Sequence, residues 1–225
     1  LRLEYIAFKL ISTNTRVSEL LEQINFQNKH TLSRAFKKHF QMSIPAFRKA
    51  YSNVAYENKI IKQLEYSIKR IKEIKVAYLK FERTHRNKQA YSTLWKQIME
   101  FAKKYNLTDK GFKYVSISLD NLDITEIDKC RFLIGITVPY SMEIPKGFSV
   151  LNIQTGLYSV FNIKGRYHEL NRIYRDIYLD WLPNSKYSLR EQMTFEIYTN
   201  TPDKASMEEL ETEIYLPIEV KQKIK

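Results

Sequence analysis

Polar and apolar residues change their spacing part-way along this chain. Between Val17 and Phe40 the spacing is helical. Val17, Leu20, Leu21 and Ile24 form one stripe that Thr15 or Ser18 can cap; Asn25 interrupts it, and Phe26 opens a new stretch in which Leu32, Phe36 and Phe40 share a face. Lys29, His30, Ser33, Arg34, Lys37 and Lys38 fall away from that face, so the second helix predicts a core stripe backed by hydrogen-bond donors. Tyr51 to Leu64, with Val54, Ile60, Ile61 and Leu64 among lysines, reads as a linker. From Ile68 the period becomes strand-like, with Ile68, Val76, Tyr78 and Leu79 in extended segments. A helix follows over Tyr91 to Tyr105, with Leu94, Trp95, Ile98, Phe101 and Ala102 on its apolar side, and then strands over Tyr114 to Leu119 and Phe132 to Val138.

The same order then recurs. Phe148 to Ile153 and Tyr158 to Ile163 predict strands, Tyr167 to Leu182 a helix, and Phe195 to Tyr198 and Thr212 to Leu216 strands. VAYLKFERTH leads into the helix with Trp95 as YSVFNIKGRYHEL leads into the one with Trp181, which marks an internal repeat. The expected architecture is multidomain. An all-α segment over residues 1–52 and a linker over 53–67 precede an α+β domain over 68–220, built of two strand-strand-helix-strand repeats. Such a domain has an antiparallel sheet, helices on one face and a concave seam between the copies.

Two short helices across a tight turn predict a helix-turn-helix, whose second helix enters the DNA major groove and offers donors near its N-terminus to base edges. Periodicity alone leaves a solvated basic face as an equal reading. Charge places a nucleic-acid contact at this end. Residues 1–65 carry 11 lysines and arginines against 5 acids, residues 66–113 carry 13 against 4, and residues 114–225 carry 13 against 16. A basic half neutralises phosphates and makes binding salt-dependent. Lys37, Lys38, Arg48 and Lys49 are the candidates for backbone contacts, which position without reading sequence.

Other chemistry is limited. No apolar run reaches the roughly 18 residues of a membrane span, and no secretory signal opens the sequence. Cys130 stands alone and, beside an apolar run, reads as a small buried hydrophobe; the four histidines have no metal-ligand spacing. There is no G-x-S-x-G, no Cys-His signature and no phosphate-cradling glycine loop among only 5 glycines. No metal, cofactor or catalytic residue is expected, and the compartment expected is the cytoplasm.

From Leu1 to about Ser52 the chain resembles the DNA-binding region of AraC/XylS-type transcription activators. The likeness rests on RLEYIAFKLI, VSELLEQI, Phe26, the SRAFKKHF core from Ser33 to Phe40, and the closing pattern from Met42 to Arg48. It implies that Lys29, His30, Thr31, Ser33, Arg34, Lys37 and Lys38 contact double-stranded DNA, with RNA polymerase as a further partner. Asn25 stands where the family usually has glycine; asparagine tolerates a left-handed backbone better than most residues. Members carry two such helix pairs, so the resemblance also implies an upstream helix-turn-helix that this sequence does not include.

From about Ile68 to Ile218 the chain resembles the GyrI-like small-molecule-binding domain, through RFLIGITVP, the stretch GFSVLNIQTGLYSVFNIKGRYHELNRIYRDIYLDWLP, FEIY and TEIYLPI. This implies a sensor whose seam accepts amphipathic, often cationic, aromatic molecules. A desolvated carboxylate and aromatic faces suit such a ligand, each ring contributing about 0.5 to 2 kcal/mol. Glu196 resembles the family's inward-pointing glutamate and shares a strand face with Tyr198; Glu213 shares one with Tyr215. Trp95, Tyr158, Trp181, Tyr198 and Tyr215 are the aromatics expected near the seam, although each also suits a core, since Trp and Tyr dominate buried area. The expected function is a ligand-responsive transcription regulator and not an enzyme. The alternative is a hydrolase or sequestering protein of the same superfamily, with a non-specific basic N-terminal segment.

Overall fold

The computed structural model describes residues 2–24, 28–51, 64–82, 90–120 and 130–221. Asn25, Phe26 and most of the expected linker lie outside the described residues. The chain forms two compact units, Leu1–Gln63 with Leu170–Glu191 and Ile218–Lys225, and Leu64–Glu169 with Gln192–Pro217.

The first unit is mainly helical, with α1 (Arg2–Ser12), α2 (Val17–Ile24), α3 (Lys29–Phe40) and α4 (Ile44–Ala50). α1 is apolar around most of its circumference and is buried accordingly, from Tyr5 through Ile11. α2 starts at Val17, so Ser18 sits in its first turn, and the Thr15 hydroxyl bonds that of Thr13 at 2.7 Å. α3 does have its side-chain cap: Asn28, in extended backbone, accepts from the Thr31 amide at 2.9 Å. Ser43 caps α4 in the same way, with Pro45 in the first turn. Leu32 and Phe36 are buried and Phe40 half-buried; the Phe36, Phe40 and Phe47 rings meet at 4.5 to 5.2 Å and hold α3 against α4. Arg48 donates to the Thr15 carbonyl at 2.6 Å, which ties its guanidinium inward rather than leaving it wholly to phosphate contact.

The expected helix from Tyr167 to Leu182 is a broken run. A 3₁₀ turn (Tyr167–Glu169) leads into α6 (Leu170–Asp176), a π-helical turn (Ile177–Trp181) and α7 (Leu182–Asn184). Tyr178 in the π turn packs edge-on against Tyr5 and also against Phe8, at 5.6 and 6.1 Å. The short β7 (Tyr187–Leu189), which the periodicity did not predict, pairs with the end of β9 (Glu211–Val220), and Arg2 donates to the Leu189 carbonyl and to Glu219.

The second unit is an antiparallel sheet with one long helix. Its strands are β1 (Tyr66–Ile71), β2 (Ile74–Glu82), β3 (Tyr114–Ser118), β4 (Arg131–Thr137), β5 (Ser149–Ile153), β6 (Gly156–Lys164), β8 (Phe195–Tyr198) and most of β9, with α5 (Ala90–Lys104) between β2 and β3. The order across the sheet is β1-β6-β9-β8-β3-β4-β2-β5. Each repeat thus supplies two strands, a helical connection and two further strands, and its first two strands pair with those of the other repeat, β1 with β6 and β2 with β5. The registers match between repeats: Glu82 pairs with Arg131 and Ser118 with Phe132, as Lys164 pairs with Glu211 and Tyr198 with Thr212. Ser116 and Glu196 are therefore equivalent positions, and they pair with each other across the β3–β8 junction. The two-fold relation of the halves passes between them.

α5 covers one face of the sheet. Ile98, Phe101 and Ala102 pack on Ala77, Phe81, Ile134 and Ile136. The other face carries Val76, Val115, Ile117, Leu133, Tyr158, Val160, Phe195, Ile197 and Tyr215 in a second apolar cluster. Complete burial of side chains this size supplies about 1.5 to 3 kcal/mol each. Cys130 is buried, and no described helix is long and apolar enough to cross a membrane.

Candidate functional site

β8 places its side chains alternately on the two faces. Phe195 and Ile197 enter the apolar cluster, while Glu196 and Tyr198 face α5. The Tyr198 hydroxyl donates to Glu196 Oε2 at 2.7 Å. Trp95, one turn into α5, meets Tyr198 edge-on at 5.4 Å and Tyr114 of β3 at 6.1 Å. Tyr167, in the 3₁₀ turn after β6, also meets Tyr198 edge-on, at 5.1 Å. Tyr91, in the first turn of α5, stands at the rim, 38% exposed, against Phe81 and Trp95. The half-buried Glu196 carboxylate, bonded to Tyr198, thus belongs to a cluster of one indole and four phenols centred on Trp95 and Tyr198.

The electrostatics of this box favour neutral rings around negative charge. Burial, reinforced by the Glu196 charge, lifts the Tyr198 phenol well above its ordinary value. Tyr167 is pushed up to about 12, first by burial and then by the charges of Tyr91, Glu196 and Asp203. Burial also raises Tyr91 and Tyr114, Glu196 adding to the first and Asp203 to the second. Asp203 itself is held below the usual carboxylate range, chiefly by a hydrogen bond from Thr201. With the phenols protonated and Asp203 ionised, ring faces next to a carboxylate offer a cation the attraction of π-systems and charge together.

The structure brings together only part of the residues expected at the seam. Trp95, Glu196 and Tyr198 share the box. Tyr158, Glu213 and Tyr215 lie on the opposite face of the sheet: Tyr158 is fully buried, its hydroxyl donating to the Gln154 carbonyl, and Tyr215 stacks on Phe195 at 4.5 Å and 12°. Glu213 accepts from the Tyr215 hydroxyl at 2.8 Å and pairs with Lys69 at 3.3 Å. Trp181 belongs to the other unit, where its ring stacks on Tyr187 at 6.3 Å. Strand alternation could not rank these residues, because this sheet buries large side chains on both faces. Tyr91, Tyr114, Tyr167 and Asp203 were missed by sequence reasoning; they come from four separate segments, and only non-local packing assembles them.

On α3, Lys29, His30, Thr31, Arg34, Lys37 and Lys38 are exposed and Ser33 is half-buried. His39 faces α1 instead, its Nε2 2.7 Å from Glu4.

A duplicated antiparallel sheet with a helix across one face, holding a carboxylate within aromatic rings, defines a class of α+β small-molecule-binding domain. The sequence model of the GyrI-like small molecule binding domain matches residues 64–219, and the chain belongs to that family. No curated protein sequence matches the chain at a significant level. Among solved structures, the C-terminal domain of EcmrR superposes with a TM-score of 0.53 at 17% identity, covering 70% of this chain and 98% of that one. The EcmrR–DNA complex in EcmrR-RPo gives 0.54 at 17% identity, over 92% of this chain and 78% of that chain. A hydrolase from Listeria innocua gives 0.53 at 10% identity, over 70% and 93%. At these identities the likeness is one of fold.

Proposed function

We propose that this protein is a ligand-responsive transcription regulator, cytoplasmic and not an enzyme, in which an amphipathic, cationic aromatic molecule occupies the box around Glu196 and α3 reads promoter DNA. The observation that carries the ligand half is the clustering of Tyr91, Trp95, Tyr114 and Tyr167 with Tyr198, whose hydroxyl holds the Glu196 carboxylate, within a domain of a small-molecule-binding family. Glu196 supplies charge, the rings supply cation–π faces, and Tyr198 orients the carboxylate. For the DNA half, the support is the capped, basic, exposed side of α3 and its resemblance to AraC-type recognition helices. Lys29, His30, Thr31, Ser33 and Arg34 take the base-reading places, Lys37 and Lys38 take phosphates, and RNA polymerase is the partner through which binding is transmitted.

The ligand half is tested with benzyltrimethylammonium and its uncharged carbon isostere, followed by Trp95 fluorescence. Glu196→Gln weakens the cation more than the isostere; equal weakening removes Glu196 as the charge partner. The DNA half is tested with Lys29→Ala combined with Arg34→Ala, each lost base contact costing about 1 to 3 kcal/mol. Unchanged operator selectivity would rule out α3 as the reader. A hydrogen-bonded glutamate–tyrosine pair is also what a hydrolase of this superfamily needs for strained electrophiles, and catalytic turnover of an epoxide, abolished by Glu196→Gln, would replace the sensor reading.

A further inference from the structure

β5 ends the sheet. It pairs with β2 on one side, and among the described residues no strand pairs with the other. Beside it, on the α5 face, runs a groove of about 460 Å³ lined by Leu79, Phe101, Tyr105 and Phe148, with Lys104 and Lys146 at its edges. The turn from Pro145 to Phe148 builds one wall. Gly147 takes a φ of +98°, open to glycine without strain, the Phe148 amide donates to the Pro145 carbonyl at 3.3 Å, and the Phe148 ring then packs on Phe101 at 4.6 Å. Val150, two residues further and on the same side of the strand, is 45% exposed.

The pseudo-equivalent edge at the other end of the sheet makes this one unusual. Exposed sheet edges are ordinarily protected by charge, proline or a bulge. β1 obeys that rule with exposed Lys69 and Arg70. β5 reads Ser-Val-Leu-Asn-Ile, has no charged residue and no proline, leaves Val150 45% exposed among the described residues, and begins at the wall of an apolar groove. The groove runs between α5, Leu79 of β2 and the turn that leads directly into β5, so an extended segment added to the free edge can bond β5 with its main chain while a side chain near the start of β5 enters the groove. Lys104, with its ammonium 5.4 Å from the Tyr105 ring centre, and exposed Lys146 set the sign of the segment's flanks against the single Glu100. A second copy does not fit as well, since its β5 brings Lys146 rather than an acid.

We propose that β5 and the groove beside α5 dock an extended, acidic segment of a partner protein, which adds a strand to the sheet and seats an aromatic or large aliphatic side chain in the groove, against Leu79, Tyr105 and the packed Phe101–Phe148 pair. The segment extends the sheet by main-chain hydrogen bonds, and Lys104 and Lys146 hold its acidic flanks.

The test uses the full chain and a fluorescein-labelled peptide with a central phenylalanine, flanking valines and glutamates at both ends. Saturable binding is expected, with amide signals of Ser149 to Ile153 shifting in heteronuclear spectra. Lys104→Glu combined with Lys146→Glu lowers affinity by about tenfold or more, as does N-methylation of the peptide's valines, and a lysine-flanked peptide regains affinity for the reversed variant. Val150→Lys, which restores a protective charge to the edge, weakens binding while retaining the wild-type melting profile. Benzyltrimethylammonium binding is unchanged in the charge-reversed variant, so this surface and the ligand box succeed or fail separately. Absence of peptide binding, indifference to N-methylation, or shifts elsewhere overturns the proposal; a concentration-dependent dimer that competes with the peptide assigns the edge to a second copy instead.

Discussion

Glu196-Ile197-Tyr198 and Glu213-Ile214-Tyr215 are the same three residues in neighbouring strands, each closed by a tyrosine hydroxyl donating to its glutamate, at 2.7 and 2.8 Å. They face opposite sides of the sheet. Around Glu196 stand rings from α5, β3 and the turn after β6; around Glu213 stand Lys69 and the stacked Phe195–Tyr215 pair. One carboxylate lies among aromatic faces and the other against an ammonium group. The pattern Glu-Ile-Tyr therefore specifies a local bond, while the neighbours brought by the fold decide whether that bond orients a ligand-facing charge or braces a sheet.

The contrast can be broken most severely on the Glu213 face, at Phe195. Phe195→Ala removes the ring that stacks on Tyr215 and contacts Tyr158, and a loss of about 3 to 5 kcal/mol is expected in urea unfolding. A loss under about 1 kcal/mol would mean that the Glu213 side is not a packed core. Next in size, Glu196→Gln lowers affinity for benzyltrimethylammonium by about tenfold, or about 1.4 kcal/mol, with little change in unfolding midpoint. The hydroxyl deletions sharpen the comparison: Tyr198→Phe and Tyr215→Phe each cost about 1 kcal/mol of stability, but only Tyr198→Phe changes calorimetric ligand affinity. Glu213→Gln, which removes a partly exposed pair with Lys69, costs about 0.5 kcal/mol and leaves ligand affinity alone. The smallest effect is alkaline. Tyr167 keeps its proton in the folded state up to about 12, whereas its unfolded phenol ionises near 10.0, so its contribution is complete below 10 and declines as pH rises through 12. Phenolate absorbance should show this late titration in the wild type and lose it in Tyr167→Phe.

Much of the second unit was legible because its elements are strongly periodic. The stripe Leu94, Trp95, Ile98, Phe101 and Ala102 marked α5, and β8 was read to the residue, with Glu196 and Tyr198 on one side. The choice between the two Glu-Ile-Tyr triplets was not legible, since alternation says which residues share a face and nothing about what covers it. Tyr91 and Tyr167 reach Glu196 through packing between segments far apart in sequence, which no local spacing encodes. Tyr158 shows the opposite failure: an aromatic suited to a pocket is wholly enclosed in the apolar cluster. In the first unit, the Leu32–Phe36 stripe was visible in the sequence, whereas the Asn28 cap was not anticipated and a strand of three residues such as β7 is shorter than any window in which a period can be counted.

The exchange of edge strands between the repeats bears on how this architecture can be divided. β1 is bonded to the second repeat's β6 and β5 to the first repeat's β2. A chain severed between β4 and β5 yields two fragments, each with one strand, β1 or β5, that only the other can pair. Neither half is a smaller version of the whole. The duplication is an interlock whose closing contacts join residues far apart along the chain, and separately expressed halves should be insoluble alone and regain a common structure when mixed.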